Sequence, residues 1–484
     1  MALSRWRPVR RRADSTRRCI RREMMRPGNR LLFDTLVRRA PEGKVVPGLS
    51  SSWEQLTPTE YVFTIGEGAT CADGTPITAD VIANSLSYLS DPETGATLRN
   101  VIFGSSKVTV AADASESAVR ISLDEPWSGL VNGLSLPQSG IICPAGLADP
   151  KGLHAGTVEA GYSGPYVLKE VTPGVRYIYE LREDYDAWPE FARNLPGEPP
   201  SKLDYGVLSD TSAIQNRLLS GDLDVGYLTY ATVDRFESRD DFSVVAVSLA
   251  VDSLVFNQRE SSPFKDRDLR LAVVHALDRT GLTDSVTNGR GKPADSFVIS
   301  TIGCGNDDSS IIPEFEGSKN AKALEGVNIR IVAGPGSSKA SEYVQSTLNE
   351  LGANVTLDSL DNTAAQTRFN TQPNSWDIII PNIQNPAGTM AGPLSFVLGA
   401  PREAGGSNYS GATNATAIDF FHQAQNETDL VKQCELFEEA EAAVIKDVDT
   451  IPLQEYKSYA ALRSGLSLVD IPGYRDPSLY RIDK

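Results

Sequence analysis

The chain has 484 residues, a formal net charge of −17 and 40% hydrophobic residues. This length allows two or three domains with sizeable cores. No run of 18 apolar residues, the length needed to span a membrane, occurs in the sequence, and the acidic balance argues against nucleic acid and anionic lipid as partners.

An arginine-rich segment opens the chain. The first 30 residues contain eleven arginines but only two acidic residues, Asp14 and Glu23. A secretory signal requires an apolar run after the basic residues, and the polar stretch "ADSTRRCIRREMM" follows instead. The sequence therefore has no recognisable signal peptide, and we expect residues 1–28 to be disordered.

The stretch "TCADGTPITADVIANSL" at residues 70–86 combines a turn with the start of a helix. Asp73 and Gly74 suit a tight turn, and Pro76 presets the backbone that follows. Thr78 is a favourable helix N-cap, and an aspartate two residues later lies where the helix dipole favours negative charge. The stretch therefore predicts a structural turn and helix.

The two halves of the chain differ in their predicted elements. "KVTVAAD" and "AVRISLD" predict a hairpin, and the block at 163–188 predicts two strands joined by Thr-Pro-Gly. After residue 250, strands alternate with amphipathic helices such as "RLAVVHALDR". This change predicts two lobes, the second of them α/β.

Few residues suit catalysis. The chain has three histidines, and neither GxSxG nor HExxH occurs. His275 lies within the amphipathic helix, where packing is the favoured role. Glu67 and Asp73 lie near Cys71, and their negative charges would raise the pKa of a free thiol, so a structural or disulfide-bonded Cys71 is favoured. A hydrolase that uses Cys71 or His275 stays as an alternative.

The five cysteines form no CxxC pair, so we expect no zinc cluster and no other metal or cofactor. Cys19 lies in the arginine-rich segment. One or two disulfides among Cys71, Cys143, Cys304 and Cys434 are possible if the chain is exported.

Several ordered blocks between residues 31 and 465 resemble the family 5 extracellular solute-binding proteins of ABC transporters, the peptide, oligopeptide and nickel binders. The blocks are "YVFTIGEGATCADGTPITADVIANSL", "RLLSGDLDVGYL", "LVFNQRESSPFKDRDLRLAVVHALDRTGL", "SWDIIIPNI" and "SNYSGATNATAIDFF". The resemblance implies an α/β, two-lobed periplasmic-binding-protein-like fold (class II, cluster C type), with a hinge and a central ligand cleft.

The resemblance also implies a division of the chain. Lobe I is expected at residues 29–250, with a subdomain at about 45–160, and lobe II at residues 251–460. Residues 461–484 are expected to return to lobe I. The family begins with a strand that pairs within lobe I, and the arginine-rich segment replaces it here, so residues 1–28 are expected to leave that sheet edge unpaired.

By this resemblance, the chain is the substrate-binding component of an ABC importer and not an enzyme. It would capture a peptide or another polar solute and deliver it to a membrane permease, as a monomer, in the periplasm or at the cell surface. The unusual beginning of the chain also raises the alternative of a non-functional remnant of such a protein.

The ligand contacts are expected mainly after the strand "SWDIII". Peptide binders of the family often carry an aspartate there to pair with the ligand's ammonium, but this chain has no acid until Glu403. A buried ammonium without a counter-charge is costly, so neutral hydrogen bonds to the solute are expected. We place ligand contacts, by motif and by position, at Asn382, Gln384, Asn385, Tyr162 and Asp252.

Overall fold

The computed structural model describes residues 16–21, 28–96, 98–208, 210–404 and 406–483. Nineteen strands lie in these ranges: β1 Thr16–Arg21, β2 Val37–Arg39, β3 Val45–Pro47, β4 Ser50–Thr57, β5 Glu60–Ile65, β6 Val108–Asp113, β7 Ala118–Leu123, β8 Tyr166–Thr172, β9 Arg176–Leu181, β10 Lys202–Val207, β11 Val225–Leu228, β12 Phe242–Phe256, β13 Asn328–Ala333, β14 Asn354–Ser359, β15 Ile378–Ile379, β16 Asn382–Gln384, β17 Thr450–Arg463, β18 Leu466–Leu468 and β19 Tyr480–Ile482.

Sixteen α-helices lie in the same ranges: α1 Gly28–Leu32, α2 Ala79–Ser90, α3 Arg99–Phe103, α4 Leu130–Gly133, α5 Pro144–Ala148, α6 Pro150–Ala155, α7 Glu190–Arg193, α8 Thr211–Ser220, α9 Asp234–Glu237, α10 Arg267–Ala276, α11 Arg279–Thr287, α12 Ser338–Glu350, α13 Asn362–Thr371, α14 Ala391–Ser395, α15 Ala415–Asn426 and α16 Leu430–Lys446. None of these described helices is both long enough and apolar enough to cross a membrane.

Two four-stranded sheets form the part of the molecule that we call the first lobe, residues 16–207. Their strand orders are β1-β10-β9-β8 and β4-β5-β7-β6. The predicted hairpins are present as the β6–β7 and β8–β9 pairs. We call residues 257–449 the second lobe, in which parallel β13, β14 and β15 combine with helices as the α/β pattern predicts.

Two long strands, β12 and β17, connect the lobes. They pair antiparallel from Phe242 opposite Arg463 to Val255 opposite Thr450, and the register shifts near Ser248. The lobe boundaries expected at 250/251 and 460/461 therefore fall inside paired strands. A linker composition could not mark them, because a continuous hydrogen-bonded ladder carries the chain from one lobe to the other.

The arginine-rich segment contributes a strand. β1 pairs in parallel with β10, from Thr16 opposite Lys202 to Arg21 opposite Val207. The expectation of disorder over 1–28 is therefore wrong for residues 16–21, and so is the expectation of an unpaired edge, because β1 supplies the backbone partners that β10 needs. Residues 1–15 and 22–27 lie outside the described part of the chain.

The turn and helix predicted at residues 70–86 are confirmed. The Asp73 carboxylate accepts a hydrogen bond from the amide of Thr75 at 3.0 Å, and Gly74 has a φ of 83°. The Thr78 hydroxyl accepts from the amide of Val81 at 3.4 Å and caps α2. This stretch is therefore a structural element of the first lobe.

The C-terminal segment after β17 contacts the first lobe. A backbone hydrogen bond of 3.0 Å joins Glu198 to Ile482, and Arg481 donates to the carbonyl of Ala192 at 2.9 Å. The buried carboxylate of Asp476 lies 3.0 Å from the guanidinium of Arg38. The two ends of the described chain therefore share one core.

Candidate functional site

Among the residues that the structure describes, three hydrogen bonds join the two lobes directly. Arg39 donates to the carbonyl of Pro386, and the amide of Asn132 donates to the carbonyl of Ala387 at 3.1 Å. The backbone amide of Ser128 donates to the side-chain oxygen of Gln425 at 2.7 Å. We call this region the interlobe contact. It comprises Arg39, Trp127, Ser128 and Asn132 of the first lobe and residues 385–388 and Gln425 of the second.

The segment 385–388 is held in place by the connecting strands. It follows β16, which pairs with β12, and the backbone amide of Asn385 donates to the carbonyl of Leu249 at 3.1 Å. Gly473 has a φ of 84°, and a Cβ at that position would overlap the carbonyl oxygen of Asn385. A Cβ on Gly388 would overlap the guanidinium of Arg39. The backbone of residues 385–388 is therefore closely approached both by the C-terminal segment and by the Arg39 side chain of the first lobe.

Arg39 is a buried cation at the centre of this contact. Its side chain is 1% exposed and stacks on the ring of Tyr474 at 5.1 Å. No carboxylate of the described residues forms an ion pair with it, and Nε and Nη1 have no hydrogen-bond partner among those residues. Burial lowers the pKa of Arg39, although an arginine remains charged at neutral pH.

The amides of the contact are oriented as donors. The side-chain oxygen of Asn385 accepts from the backbone amide of Thr389 at 3.1 Å, and that of Gln425 accepts from Ser128. Because a backbone N–H can only donate, each side-chain oxygen must face it, and each NH₂ group points elsewhere. Both NH₂ groups, and Nε1 of Trp127, lack partners among the described residues.

The residues expected to bind ligand divide into two places. The side-chain amide of Asn382 in β16 donates to one carboxylate oxygen of Asp252 in β12 at 2.9 Å, and Gln454 donates to the other oxygen of Asp252 at 2.8 Å. Gln384 lies opposite Ala250 in the same strand pair. Asp252, Asn382 and Gln384 thus lie next to Asn385. Tyr162 packs edge-on against Phe33 at 5.6 Å within the first lobe.

These five positions stay predictions as ligand contacts. Sequence reasoning overlooked Arg39, Trp127, Ser128, Asn132 and Gln425. One signal was present: Arg38 and Arg39 stand together in the apolar context "DTLVRRAP", and β2 is buried at all three positions. Two adjacent buried arginines point to partners on opposite sides of a strand.

Asp252 makes stability depend on pH. Burial raises its pKa to about 6, partly offset by its bonds to Asn382 and Gln454. The folded protein therefore binds this proton more tightly than the unfolded chain, and stability from this group falls as pH rises from about 4 to about 6, by about 3 kcal/mol. We expect D252N to remove that dependence without lowering stability at pH 7, because Gln454 has an unpartnered oxygen to offer the new amide.

The test of this prediction is urea unfolding of wild type and D252N at a series of pH values from 4 to 8. As pH rises from about 4 to about 6, the free energy of unfolding of the wild type should fall relative to that of D252N. A constant difference, or a loss of more than about 1 kcal/mol in D252N at pH 7, would contradict the assignment.

The hydrolase alternative gains no support from Cys71. This residue is fully buried and forms a disulfide with Cys143, so it carries no thiol that could act as a nucleophile. A second disulfide joins Cys304 to Cys434. Nδ1 of His275 lies 2.7 Å from the carbonyl oxygen of Glu314, so it acts there as a donor.

Comparison with known proteins relates the chain to binding proteins. The family model for bacterial extracellular solute-binding proteins, family 5 Middle, matches residues 44–401. The crystal structure of a substrate binding protein from Microbacterium hydrocarbonoxydans complexed with 4-hydroxybenzoate hydrazide is 36% identical, with a TM-score of 0.84, over 97% of this chain and 100% of that chain. Unliganded, open MppA, the murein tripeptide binding protein, has a TM-score of 0.73 at 20% identity, over 97% of this chain and 98% of that one.

Curated relatives are more distant. Protein XP55 of Streptomyces lividans is 27% identical over 55% of this chain and 47% of its own length, and the probable D,D-dipeptide-binding periplasmic protein DdpA of Escherichia coli is 24% identical over 69% and 64%. The chain thus spans about half to two thirds of these relatives. The dipeptide-binding protein DppE of Bacillus subtilis is 23% identical over 88% of this chain and 81% of its own. The structural likenesses confirm the predicted two-lobed α/β fold.

Proposed function

The chain belongs to the bacterial extracellular solute-binding proteins of family 5, and we propose that it captures a peptide or another polar solute between its lobes and delivers it to an ABC permease. The observation that carries this proposal is the set of buried, unpartnered donors at the interlobe contact. Buried polar groups are normally paired, and a solute enclosed between the lobes would pair them.

Closure about β12 and β17 is the proposed working motion. The register shifts in their ladder lie near Ser248 and Asp252, beside the point where β16 joins β12. Bending there would separate Arg39 from Pro386, Asn132 from Ala387 and Ser128 from Gln425 while each lobe keeps its own sheets. A solute that contacts both lobes would stabilise the closed state relative to the open one.

We infer an extracytoplasmic location and a monomeric, cofactor-free protein. Two disulfides support the location, since such bonds form and persist in oxidising compartments. The names of DdpA, a probable D,D-dipeptide-binding periplasmic protein, and of MppA, a periplasmic murein peptide-binding protein, support it as well. The permease itself is a proposed partner.

A ligand screen tests the proposal. The panel contains the tripeptide Ala-Ala-Ala, its C-terminal amide, 4-hydroxybenzoate, 4-hydroxybenzoate hydrazide, glucose, spermidine and a nickel–histidine chelate. A true ligand at 100 times its Kd should stabilise the folded protein by about 2.7 kcal/mol, seen as a rise in melting temperature. The protein should leave this ligand chemically unchanged. Binding should also reduce the radius of gyration of the protein in small-angle scattering.

Each outcome of this screen has a clear meaning. Stabilisation without turnover supports a binding protein, whereas conversion of a stabilising compound to a product would support the hydrolase alternative. If no member of the panel raises the melting temperature, the capture proposal is contradicted and the non-functional remnant is favoured.

A further inference from the structure

We propose that the captured solute carries a carboxylate, and that Arg39 receives it together with the side-chain NH₂ groups of Asn385 and Gln425. This inference rests on the proposed function, because it assigns the chemistry of the solute that the lobes enclose. It concerns only the acidic end of that solute. The carboxylate is either the C-terminus of a peptide or the acid group of a free organic acid, since the recognising groups are the same.

Arg39 is a buried charge without a counter-charge among the described residues, in contrast to several other buried arginines. Other buried arginines of the described chain are compensated: Arg38 lies within 3.3 Å of two carboxylates, Arg30 lies 3.5 Å from Asp476, and Arg270 lies 3.6 Å from Asp449. Arg39 is as deeply buried as these but has no such partner among the described residues. Burying an uncompensated cation is expensive, so a bound anion is the natural compensation.

Backbone carbonyls do not replace the missing anion at Arg39. Arg481 provides a comparison, because it is also buried and has no carboxylate of the described residues within ion-pair distance. It donates to three carbonyl oxygens, those of Ser478, Tyr480 and Ala192. Arg39 donates to one, that of Pro386, and its Nε and Nη1 stay unpartnered among the described residues. Each of these two nitrogens keeps a hydrogen that an acceptor oxygen could receive.

The neighbouring free groups supply hydrogens: two side-chain amides and an indole, beside the hydroxyl of Tyr474, which can donate or accept. The NH₂ groups of Asn385 and Gln425 are fixed by the backbone amides that their oxygens accept from. Nε1 of Trp127, beside Ser128, is a further donor without a partner among the described residues. A carboxylate has about four acceptor sites and no hydrogen, so it could accept from several such donors at once. An ammonium group would meet the charge of Arg39 and find only the Tyr474 hydroxyl to accept from it among these side chains.

The location supports a ligand role over a purely structural one. Arg39 belongs to the first lobe, whereas Asn385 and Gln425 belong to the second, so a carboxylate held by all three would bridge the lobes. Such a bridge gains its full set of contacts only in the closed state. It would therefore bind and close the protein in a single step.

Matched acid and neutral pairs test the proposal on the full-length protein. Titration calorimetry compares Ala-Ala-Ala with its C-terminal amide and 4-hydroxybenzoate with its hydrazide. We expect at least one acid to bind about 100-fold more tightly than its neutral partner, because a desolvated charge pair is lost in the neutral compound. In R39Q the acid should lose that advantage and bind no better than the neutral compound.

The stability of the free protein distinguishes ligand recognition from a structural role. Since Arg39 has no anionic partner among the described residues, R39Q should melt at the same temperature as wild type or higher. Glutamine keeps a donor for the carbonyl of Pro386. A clear drop in the melting temperature of ligand-free R39Q would show that Arg39 is a structural residue and would overturn the proposal.

The remaining outcomes separate this inference from the proposed function. If a neutral compound binds as tightly as its acid, or if R39Q keeps the preference for the acid, the carboxylate assignment is overturned while the capture function stands. If glucose, spermidine or the nickel chelate binds and neither acid does, the carboxylate assignment is again overturned and the capture function stands. If no compound binds at all, both proposals are contradicted.

Discussion

R38M is expected to lower the free energy of unfolding by about 3–5 kcal/mol, because it removes the shared cation of a buried ion-pair network. The guanidinium of Arg38 lies 3.3 Å from Asp34 and 3.0 Å from Asp476, and all three side chains are almost fully buried. Although burial disfavours its charge, these two carboxylates raise the pKa of Arg38 above its ordinary value. Methionine fills similar volume but leaves Asp34 without a cation.

Urea unfolding followed by circular dichroism measures the loss. R368M is the control, because Arg368 forms an ion pair with Asp358 in which both side chains are partly exposed, and such surface pairs contribute under about 1 kcal/mol. Hydrogen exchange adds a local readout: since Asp476 belongs to the C-terminal segment, the amides of β19 should lose protection in R38M. Equal losses in R38M and R368M would show that the network does not hold this segment in place.

Adjacent arginines in β2 thus have opposite expected effects. R38M removes a compensated charge and should destabilise the protein, whereas R39Q removes an uncompensated one and should not. The sequence presents both as the same residue in the same short strand. Only the remote partners, Asp476 for one and the interlobe contact for the other, distinguish them.

Local elements of the fold could be predicted because their signals are local. The cap at Thr78, the hairpin turns and the apolar face of α10 depend on residues within a few positions of each other, and all are present. The family motifs also allowed the two-lobed fold to be predicted. The turn at Asp73 to Pro76 is a further local case, since the residue types that favour it lie within four positions.

The connecting strands and the site depend on pairing over long distances. Residues 242–255 pair with residues 450–463, about two hundred positions away, so no periodicity reveals that one strand crosses from lobe to lobe. Likewise, β1 has a polar, arginine-rich sequence that does not resemble a strand, and its pairing with β10 provides the order. The donor orientation of Gln425 follows from a backbone amide in the other lobe, which the local sequence cannot indicate.

Removal of each disulfide is expected to lower stability substantially. The bonds enclose loops of 72 and 130 residues, and the chain-entropy relation gives upper values of about 4 kcal/mol for Cys71–Cys143 and about 5 kcal/mol for Cys304–Cys434. Urea unfolding of the variants C71A/C143A and C304A/C434A measures the two losses of stability. Protein denatured without reductant should show one thiol per chain, that of Cys19, and all five after reduction.

The two disulfides should differ in how readily a reductant reaches them. Neither should affect the closure of the lobes. Cys71 and Cys143 are fully buried, whereas Cys304 and Cys434 are partly exposed, so mild reductant followed by alkylation should label Cys304 and Cys434 first. Each bond lies within one lobe and none spans the interlobe contact. Opening the Cys304–Cys434 bond should therefore lower the melting temperature while leaving solute affinity nearly unchanged. A parallel loss of affinity would show that the second lobe needs this bond to keep residues 385–388 and Gln425 in place.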